Sequence, residues 1–316
     1  MSLPVPPVRR PRLQIYAAMA AFALIASLTN VLAREFAVRQ SPYWIAFWRF
    51  IIAAPALAVL LRLSGRRILL MPVDRWRFVL LAMLAVPGNQ LLYIIGIRHT
   101  TATHAALLYG TTPAWVLLLA VALDLERLRN WKVAGIFLSI TGVVVVLAGK
   151  GLAFSSSTLG GDMILMMAVL AWAGYTTLGK PLVERYGALE VTFLVMSFGA
   201  LMYLPIGLPI ALLADYSAIE AVDWLFVLYL GLVTSVLAYF LWYWLVASLR
   251  PTQVAVVMCS QPPITFLLAA LLQGEQLTTS LAIGSLITLA GIALTVVVGG
   301  EKRAIPFEPA RPPGTR

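Results

Sequence analysis

Residues 103–147 read THAALLYGTTPAWVLLLAVALDLERLRNWKVAGIFLSITGVVVVL, and residues 252–296 read TQVAVVMCSQPPITFLLAALLQGEQLTTSLAIGSLITLAGIALTV. The two stretches align without a gap at a spacing of 149 positions (252 − 103). The alignment gives identical pairs at Thr103 and Thr252, Ala106 and Ala255, Pro113 and Pro262, Glu126 and Glu275, Leu128 and Leu277, Gly135 and Gly284, and Gly142 and Gly291. Each copy has an apolar span, a short acidic turn and a second, glycine-bearing apolar span. This pattern indicates an internal duplication of the chain.

The composition indicates a membrane protein. Of the 316 residues, 61% are hydrophobic and 11% charged, and the mean hydropathy is +0.92, far from the averages of soluble domains. The net charge of +10 is dispersed among short loops and forms no groove-lining patch, so it does not indicate a nucleic-acid partner. The single cysteine, Cys259, lies within an apolar span, which excludes an intrachain disulfide.

Runs of about 20 mainly apolar residues, the length that crosses a bilayer, occur ten times. They lie near 13–33, 42–63, 77–97, 101–123, 130–149, 162–181, 188–213, 222–247, 251–273 and 279–299. The first run is too long for a cleaved signal, so we expect a retained helix. The sequence therefore predicts an all-α, polytopic membrane protein of ten transmembrane helices. We place helices 1–5 in a first repeat, residues 13–149, and helices 6–10 in a second, residues 162–299, with cytoplasmic tails at 1–12 and 300–316.

Loop charges predict how the chain crosses the membrane. With the amino terminus in the cytoplasm, eighteen lysines and arginines fall on the cytoplasmic side or in the tails, and only Arg34, Arg39, Arg98 and Lys150 fall on the other side. This bias satisfies the positive-inside rule and places both termini in the cytoplasm. Because each half has an odd number of spans, the second half is expected to be inverted relative to the first. Inverted repeats are typical of alternating-access carriers.

Several segments carry a resemblance to a known family. They are LYLGLVTSVLAYFLW at 228–242, the pair Gly274-Glu275 followed by Gly284 and Gly291, and in the first half Asn89-Gln90-Leu-Leu-Tyr93, Pro113 and Glu126. Over nearly the whole chain the sequence resembles the drug/metabolite transporter superfamily, in its ten-helix branch of two EamA-type repeats. The resemblance implies a carrier or exporter of small metabolites or drugs. The superfamily includes exporters of amino acids, amphipathic drugs, nucleotide sugars and phosphorylated sugars.

Prolines halfway along two matched spans predict where a substrate would bind. Carrier sites lie near the bilayer midplane, where helices are interrupted, and Pro113, Pro262 and Pro263 each remove a backbone donor. Polar residues precede them in both copies: Thr111 and Thr112 in the first, Ser260 and Gln261 in the second. Their hydroxyl groups could instead bind the freed carbonyl groups locally. The symmetrical occurrence favours a cavity lining. Cys259 adjoins this break, so we expect a small thiol reagent to label it and substrate to slow the labelling.

Other polar and aromatic residues at membrane depth complete the predicted site. They are Asn30, Asn89, Gln90, Tyr93, His104, Tyr175, Tyr239 and Trp242. Helix packing and, for the aromatic residues, anchoring at the membrane interface are the alternatives. Arg49 is the one formal charge well inside a span, and we expect it to have a structural role, with its charge reaching towards the interface.

The sequence favours transport over catalysis. It contains no phosphate-binding loop and no metal-ligand motif, and we expect no cofactor. Its carboxylates are predicted at loops or span ends, which favours uniport or exchange over proton coupling. Two alternatives stay open: a phosphorylated-sugar or nucleotide-sugar exchanger, which would need several cavity-facing cations, and a membrane-embedded enzyme acting on lipid-linked substrates.

We therefore expect an alternating-access exporter of amino acids, aromatic or otherwise neutral, or of similar amphipathic solutes. Its cavity would lie between the two repeats, in a bacterial inner membrane. The expected partners are a small-molecule substrate and the lipid bilayer, with no nucleic acid, and a monomer is compatible with the sequence.

The loop charges make the topology testable. Reporter fusions placed after Arg129 and after Arg303 are expected to be active on the cytoplasmic side, and a fusion after Asp215 on the external side. A matched pair of reporters, one active only in the cytoplasm and one only outside it, gives the control at each point. An external carboxyl terminus would contradict the five-plus-five inverted arrangement.

Overall fold

The computed structural model describes residues 11–66, 68–100, 105, 108–148, 159–273 and 278–297, and all regular structure within these ranges is helical. Ten helical segments follow one another: α1 Arg12–Arg39, α2 Pro42–Leu63, α3 Pro72–Arg98, α4 Leu108–Ala122, α5 Asn130–Ala148, α6 Leu159–Tyr186, α7 Ala188–Leu212, α8 Ala221–Ser248, α9 at 251–273 and α10 Thr279–Val297. The prediction of an all-helical protein is confirmed.

Within these described ranges, seven helices are long and apolar enough to cross a membrane: α1, α2, α3, α6, α7, α8 and α10. Their mean hydropathies run from 1.3 to 2.1. Helices α4 and α5 are apolar but shorter, and α9 is divided by a stretch of 3-10 helix at Val256–Ser260. The count of ten transmembrane spans therefore stays a prediction.

Two helices widen into π-helix, which the sequence analysis did not predict. In α3 the π segment is Val86–Leu91, and in α8 it is Tyr229–Ala238. Pro87 lies in the first of them and lacks the N–H group that would continue an α-helical ladder, so the turn is re-formed with a longer repeat. Gly88 allows this turn to pack closely, because a Cβ atom there would lie 2.8 Å from the carbonyl oxygen of Met83. Both segments lie in the middle of their helices.

Helices α5 and α10 pack through matched glycines. A Cβ atom added at Gly142 would lie 2.6 Å from the carbonyl oxygen of Gly284, and one at Gly135 would lie 3.0 Å from that of Gly291. The later glycine of one helix therefore faces the earlier glycine of the other, so the two helices run antiparallel. Small residues at such crossings let two backbones approach within van der Waals contact.

Polar side chains mark one end of the helix bundle. There the buried carboxylate of Asp74 accepts hydrogen bonds from Arg185 at 2.6 Å and from the hydroxyl of Tyr186 at 2.8 Å. Lys180 Nζ donates to the carbonyl oxygens of Val246 and Leu249 at 2.6 and 2.9 Å. We call this end, where α3, α6 and α8 are tied together, the Asp74 end.

The opposite end of the bundle is tied between different helices. Arg39 pairs with Glu220 at 2.7 Å, and the Gln40 side chain donates to Asp223 at 2.8 Å, so the close of α1 lies beside the start of α8. We call this the Arg39 end. The bundle thus has polar ties at both ends and apolar helices between them.

The glycine contact predicts a site-specific loss of stability. Gly142→Ala places a Cβ atom against the backbone of α10, and overpacking of this kind typically costs about 1–3 kcal/mol of unfolding free energy. Thermal melting of the purified protein in detergent is expected to show a lower Tm. Gly160→Ala is the matched control, since nothing lies within 4 Å of a Cβ atom at that exposed position. Equal melting temperatures for the two variants would contradict the close approach.

Candidate functional site

A cavity of about 150 Å³ lies inside the bundle, within the half nearer the Arg39 end. A dry cavity of that volume can hold a benzene-sized group. It is lined from seven helices by Phe22, Ala26, Thr29, Asn30, Ala33, Ile45, Arg49, Asn89, Gln90, Tyr93, Ile94, Ile97, Ala105, Tyr109, Trp172, Phe226, Leu230, Thr234, Ala238, Tyr239, Met258, Gln261, Pro262 and Thr265. Of these described residues none is acidic and Arg49 is the only cation, so the lining is apolar, aromatic and neutral polar with one positive charge.

The neutral polar groups of the cavity hold one another in place. The Tyr93 hydroxyl donates to Asn30 Oδ1 at 2.9 Å, and Asn30 Nδ2 donates to Gln261 Oε1 at 3.2 Å. These bonds connect α3, α1 and α9 across the cavity. Asn89 Nδ2 donates to the Tyr109 hydroxyl at 2.8 Å and to the carbonyl oxygen of Ala168 at 2.9 Å. Side chains anchored in this way are pre-organised to orient a small ligand.

Arg49 connects this network to α8. Its Nε donates to Ser235 Oγ at 2.6 Å, and its Nη1 donates to Gln90 Oε1 at 2.5 Å. Gln90 Nε2 in turn donates to the hydroxyl of Tyr239 and, at 3.2 Å, to Asn89 Oδ1. The side chain of Arg49 is only 3% exposed and lines the cavity. Its charge does not reach a membrane interface as the sequence analysis expected, because Ser235 and Gln90 hold the guanidinium within the bundle.

Aromatic rings close the cavity on the side of the Asp74 end. We call this group, Phe22, Trp172, Tyr175, Tyr239, Trp242 and Tyr243, the aromatic floor. Neighbouring ring centroids lie 4.6 to 5.8 Å apart, the range of favourable aromatic contacts. Phe22, Trp172 and Tyr239 line the cavity, whereas Tyr175, Trp242 and Tyr243 are buried beneath them. The floor separates the cavity from the ion pairs of the Asp74 end.

The structure brings together half of the residues selected from the sequence. Asn30, Asn89, Gln90, Tyr93, Tyr239 and Gln261 all line the cavity. Tyr175 and Trp242 lie below it in the aromatic floor, where Trp242 Nε1 donates to Thr176 Oγ1 at 3.2 Å. His104 lies outside the described residues.

Three residues beside the prolines are placed away from the cavity by their hydrogen bonds. Thr111 Oγ1 and Thr112 Oγ1 each donate at 2.6 Å to the carbonyl oxygen three residues earlier, and Ser260 Oγ does the same to Val257 at 2.6 Å. The prolines free these carbonyl groups, and a neighbouring hydroxyl group satisfies them inside the membrane-spanning region. The local alternative considered for Thr111, Thr112 and Ser260 is therefore what the geometry displays.

Cys259 is likewise buried away from the cavity. Its side chain is fully buried beside Val143, and its Sγ lies 3.3 Å from the carbonyl oxygen of Gly110. A reagent in the cavity would not reach this thiol group. The placement replaces the labelling expected from its sequence position.

Sequence reasoning missed several lining residues. Tyr109, Trp172 and Thr29 were passed over as packing residues, and Arg49 was assigned a structural role. One signal could have found Arg49, since an ionisable residue in the middle of a span is a functional hypothesis by default. A second signal is the repeat spacing, because Gln90 contacts Tyr239, its own counterpart 149 positions later. Residues near such a self-contact lie where the two repeats meet.

Comparison with known proteins gives a consistent family. The model of the EamA-like transporter family matches residues 13–148 and again 159–297. An uncharacterized transporter of Archaeoglobus fulgidus is 32% identical over 80% of this chain and 87% of its own length. The uncharacterized transporter YetK of Bacillus subtilis is 30% identical over 91% of this chain and 88% of its own.

A more distant relative and a solved structure extend the comparison. A probable terminal-alkyne amino-acid exporter of Streptantibioticus cattleyicolor is 27% identical over 65% of this chain and 67% of its own length. One crystal structure superposes with a TM-score of 0.75 over 91% of this chain and 98% of its own, at 20% identity. The superposition shows that the fold is shared.

The cavity geometry predicts a pattern of cysteine reactivity. Ala33 lines the cavity near the Arg39 end, whereas Ala23 on the same helix is 3% exposed and does not. In a Cys259→Ala background, a water-soluble thiosulfonate reagent is expected to label Ala33→Cys at least about tenfold faster than Ala23→Cys, because thiol reactivity follows exposure. Native Cys259 is expected to react as slowly as Ala23→Cys. Labelling of Cys259 as fast as that of Ala33→Cys would contradict its burial.

Proposed function

Because this chain belongs to the EamA-like transporter family, we propose that it exports small amphipathic metabolites, foremost amino acids with aromatic or other neutral side chains, by alternating access. The family and its apolar helices make it a multi-pass membrane protein. A bacterial inner membrane, with both termini in the cytoplasm, is part of the proposal. The loop charges support that orientation.

The one-sided cavity is the observation that carries this function. Neutral polar groups and aromatic faces line it, and the aromatic floor and the Asp74 ties block the path to the other end. A carrier needs a central site that is open to one side at a time. Under the proposed orientation the Arg39 end is external, so this geometry supports an outward-facing state.

An inverted pair of five-helix repeats, ten spans in all, is the second part of the proposal. The family model matches the chain twice, and α5 and α10 run antiparallel through equivalent glycines. Gln90 contacts Tyr239 and Gly110 contacts Cys259, each pair separated by 149 positions. Equivalent positions touch where a pseudo-two-fold axis passes between them, and these contacts therefore support an axis in the membrane plane.

The chemistry of the lining supports amino acids as substrates. Amide and hydroxyl oxygens of Asn30, Asn89 and Gln261 can accept hydrogen bonds from an ammonium group. The faces of Trp172 and Tyr93 can contact an apolar or aromatic side chain. The relative from Streptantibioticus cattleyicolor, a probable amino-acid exporter, agrees with this class.

The alternatives fit the described lining less well. A phosphorylated sugar calls for several cations in the cavity, but Lys180 is bound to backbone carbonyl groups at the Asp74 end and Arg49 stands alone. An enzyme acting on lipid-linked substrates would need a paired acid and base, and none lines the described cavity. The family and the names of the relatives indicate a transporter rather than an enzyme.

Flux through proteoliposomes tests the function. Vesicles with the purified protein are expected to exchange labelled phenylalanine or another neutral amino acid, with a rate unaltered by a pH gradient, because no acidic residue lines the described cavity. Tyr93→Phe removes a hydroxyl group that holds Asn30, and a threefold to tenfold loss is expected, roughly the value of one hydrogen bond. Tyr16→Phe, at an exposed tyrosine outside the cavity, is the matched control.

Two further readings of the same assay separate site from scaffold. Gln90→Ala is expected to lower flux with little change in Tm, whereas Trp242→Ala empties a fully buried position and typically costs about 3–5 kcal/mol. No flux of any neutral amino acid, or full flux through both Tyr93→Phe and Gln90→Ala, would contradict the proposal.

A further inference from the structure

Arg49 is the buried cation whose charge is left uncompensated. Among the lysines and arginines that the structure describes, three are buried: Arg49, Lys132 and Lys180. Lys132 is paired with Glu126, and Lys180 lies 2.9 Å from a carboxylate oxygen of Glu184. Arg49 has no carboxylate partner among the described residues. A charge held in a low-dielectric interior is costly unless an opposite charge accompanies it.

One nitrogen of the Arg49 guanidinium is free. Nε and Nη1 donate to Ser235 and Gln90, but Nη2 is buried and has no hydrogen-bond partner among the described residues. An unpaired buried donor loses its hydration without compensation. The side chain lines the cavity, so a ligand there can supply the missing acceptor.

The geometry points to a carboxylate as that acceptor. A guanidinium group offers two parallel N–H donors in a plane, which matches the two oxygens of a carboxylate. We propose that Arg49 is the anchor for the carboxylate of the substrate, which selects monocarboxylates, zwitterionic amino acids among them. The inference rests on the proposed function, because it takes the cavity as the substrate site.

The surroundings of Arg49 define the rest of the ligand. Since Arg49 is the only cation of the described lining, one negative charge is the most that it can balance. Apolar side chains such as Phe22, Ile94 and Phe226 line the same cavity and can contact an apolar body. The expected ligand is thus a carboxylate joined to a small apolar or aromatic group.

Gln90 holds the place of the ligand when the cavity is empty. Its Oε1 accepts from Nη1, one of the two donors that a bidentate carboxylate would use, and its Nε2 is bound to Tyr239 on α8. A carboxylate at Nη1 and Nη2 would displace this oxygen. Binding at Arg49 would then change the contact between α3 and α8, the two helices that contain the π segments.

The first test compares acids with their amides. Purified protein in detergent is titrated with L-phenylalanine and 3-phenylpropionate, each against its carboxamide, and with inorganic phosphate, while melting temperature is followed. The acids are expected to raise Tm, and the amides and phosphate are not, since a ligand that binds the folded state stabilises it. Equal shifts with the amides or with phosphate, or no shift with either acid, would overturn the anchor.

The second test uses variants of the anchor. Arg49→Gln is expected to weaken binding of the acids roughly 10- to 100-fold and to abolish the preference for acid over amide. Arg49→Lys keeps the charge but loses the fork, so a partial preference is expected. Arg98→Gln is the matched control, because it removes an exposed arginine at the end of α3, outside the cavity.

Gln90→Glu covers the case in which the Arg49 variants fail to fold. The new carboxylate would occupy the guanidinium from within the protein, at the place where Gln90 Oε1 now lies. This variant is expected to melt no lower than the wild type and to bind the acids at least about tenfold more weakly. Binding of the acids by Gln90→Glu or Arg49→Gln at wild-type strength would overturn the proposal.

Binding and flux together separate this inference from the proposed function. Acid-specific stabilisation that depends on Arg49, without flux in proteoliposomes, would leave the anchor standing and contradict export. Flux of amino acids that is equal for wild type and Arg49→Gln, with no acid preference in melting, would leave export standing and remove the anchor.

Discussion

Inside a membrane a backbone carbonyl group has no water to bind, so every turn that departs from the α-helix must find its partner within the protein. This constraint explains the polar residues next to the prolines: Thr111, Thr112 and Ser260 bind carbonyl oxygens one turn back. It also governs Asn89, which binds the carbonyl oxygen of Ala168 from a π segment. Part of the polarity in these helices therefore maintains the backbone. Groups left over from that task, on the inner faces of α1, α2, α3, α8 and α9, are available to a ligand.

How far the sequence predicts the structure depends on which of these two tasks a polar residue performs. The helices and the paired glycines of α5 and α10 follow from apolar runs and repeated spacing, which are local features. Asn30, Gln90 and Tyr239 were found because amides and hydroxyls at membrane depth are costly without a role. Trp242 was misplaced for a different reason. The π segments Val86–Leu91 and Tyr229–Ala238 differ in length, so residues after them need not keep the same face as their counterparts in the other repeat.

Charge follows a consistent rule in this bundle, and Arg49 is its exception. Lys132 meets Glu126, which also accepts from the backbone N–H of Thr252 at 2.9 Å, and Lys180 meets Glu184 and two carbonyl oxygens. Those cations fasten helix ends together. Arg49 lies mid-helix among neutral groups, where its burial lowers stability unless something else offsets the cost. A site that is destabilised while empty gains the most from a ligand of opposite charge, which is the arrangement expected of a binding residue.

The proposed inversion also explains why the cavity is closed at the Asp74 end. Two rings of the aromatic floor, Trp172 and Tyr175 on α6, correspond at the 149-residue spacing to Ala23 and Ala26 on α1. If the repeats exchanged conformations, small alanines would take the closing position at the Arg39 end. Such a closure would bury less apolar area, and each large aromatic side chain accounts for about 150–250 Å². The unequal bulk of the two floors therefore favours the state with the Asp74 end shut, and a ligand that bridges Arg49, Gln90 and the apolar wall would supply the contacts that the alanines lack.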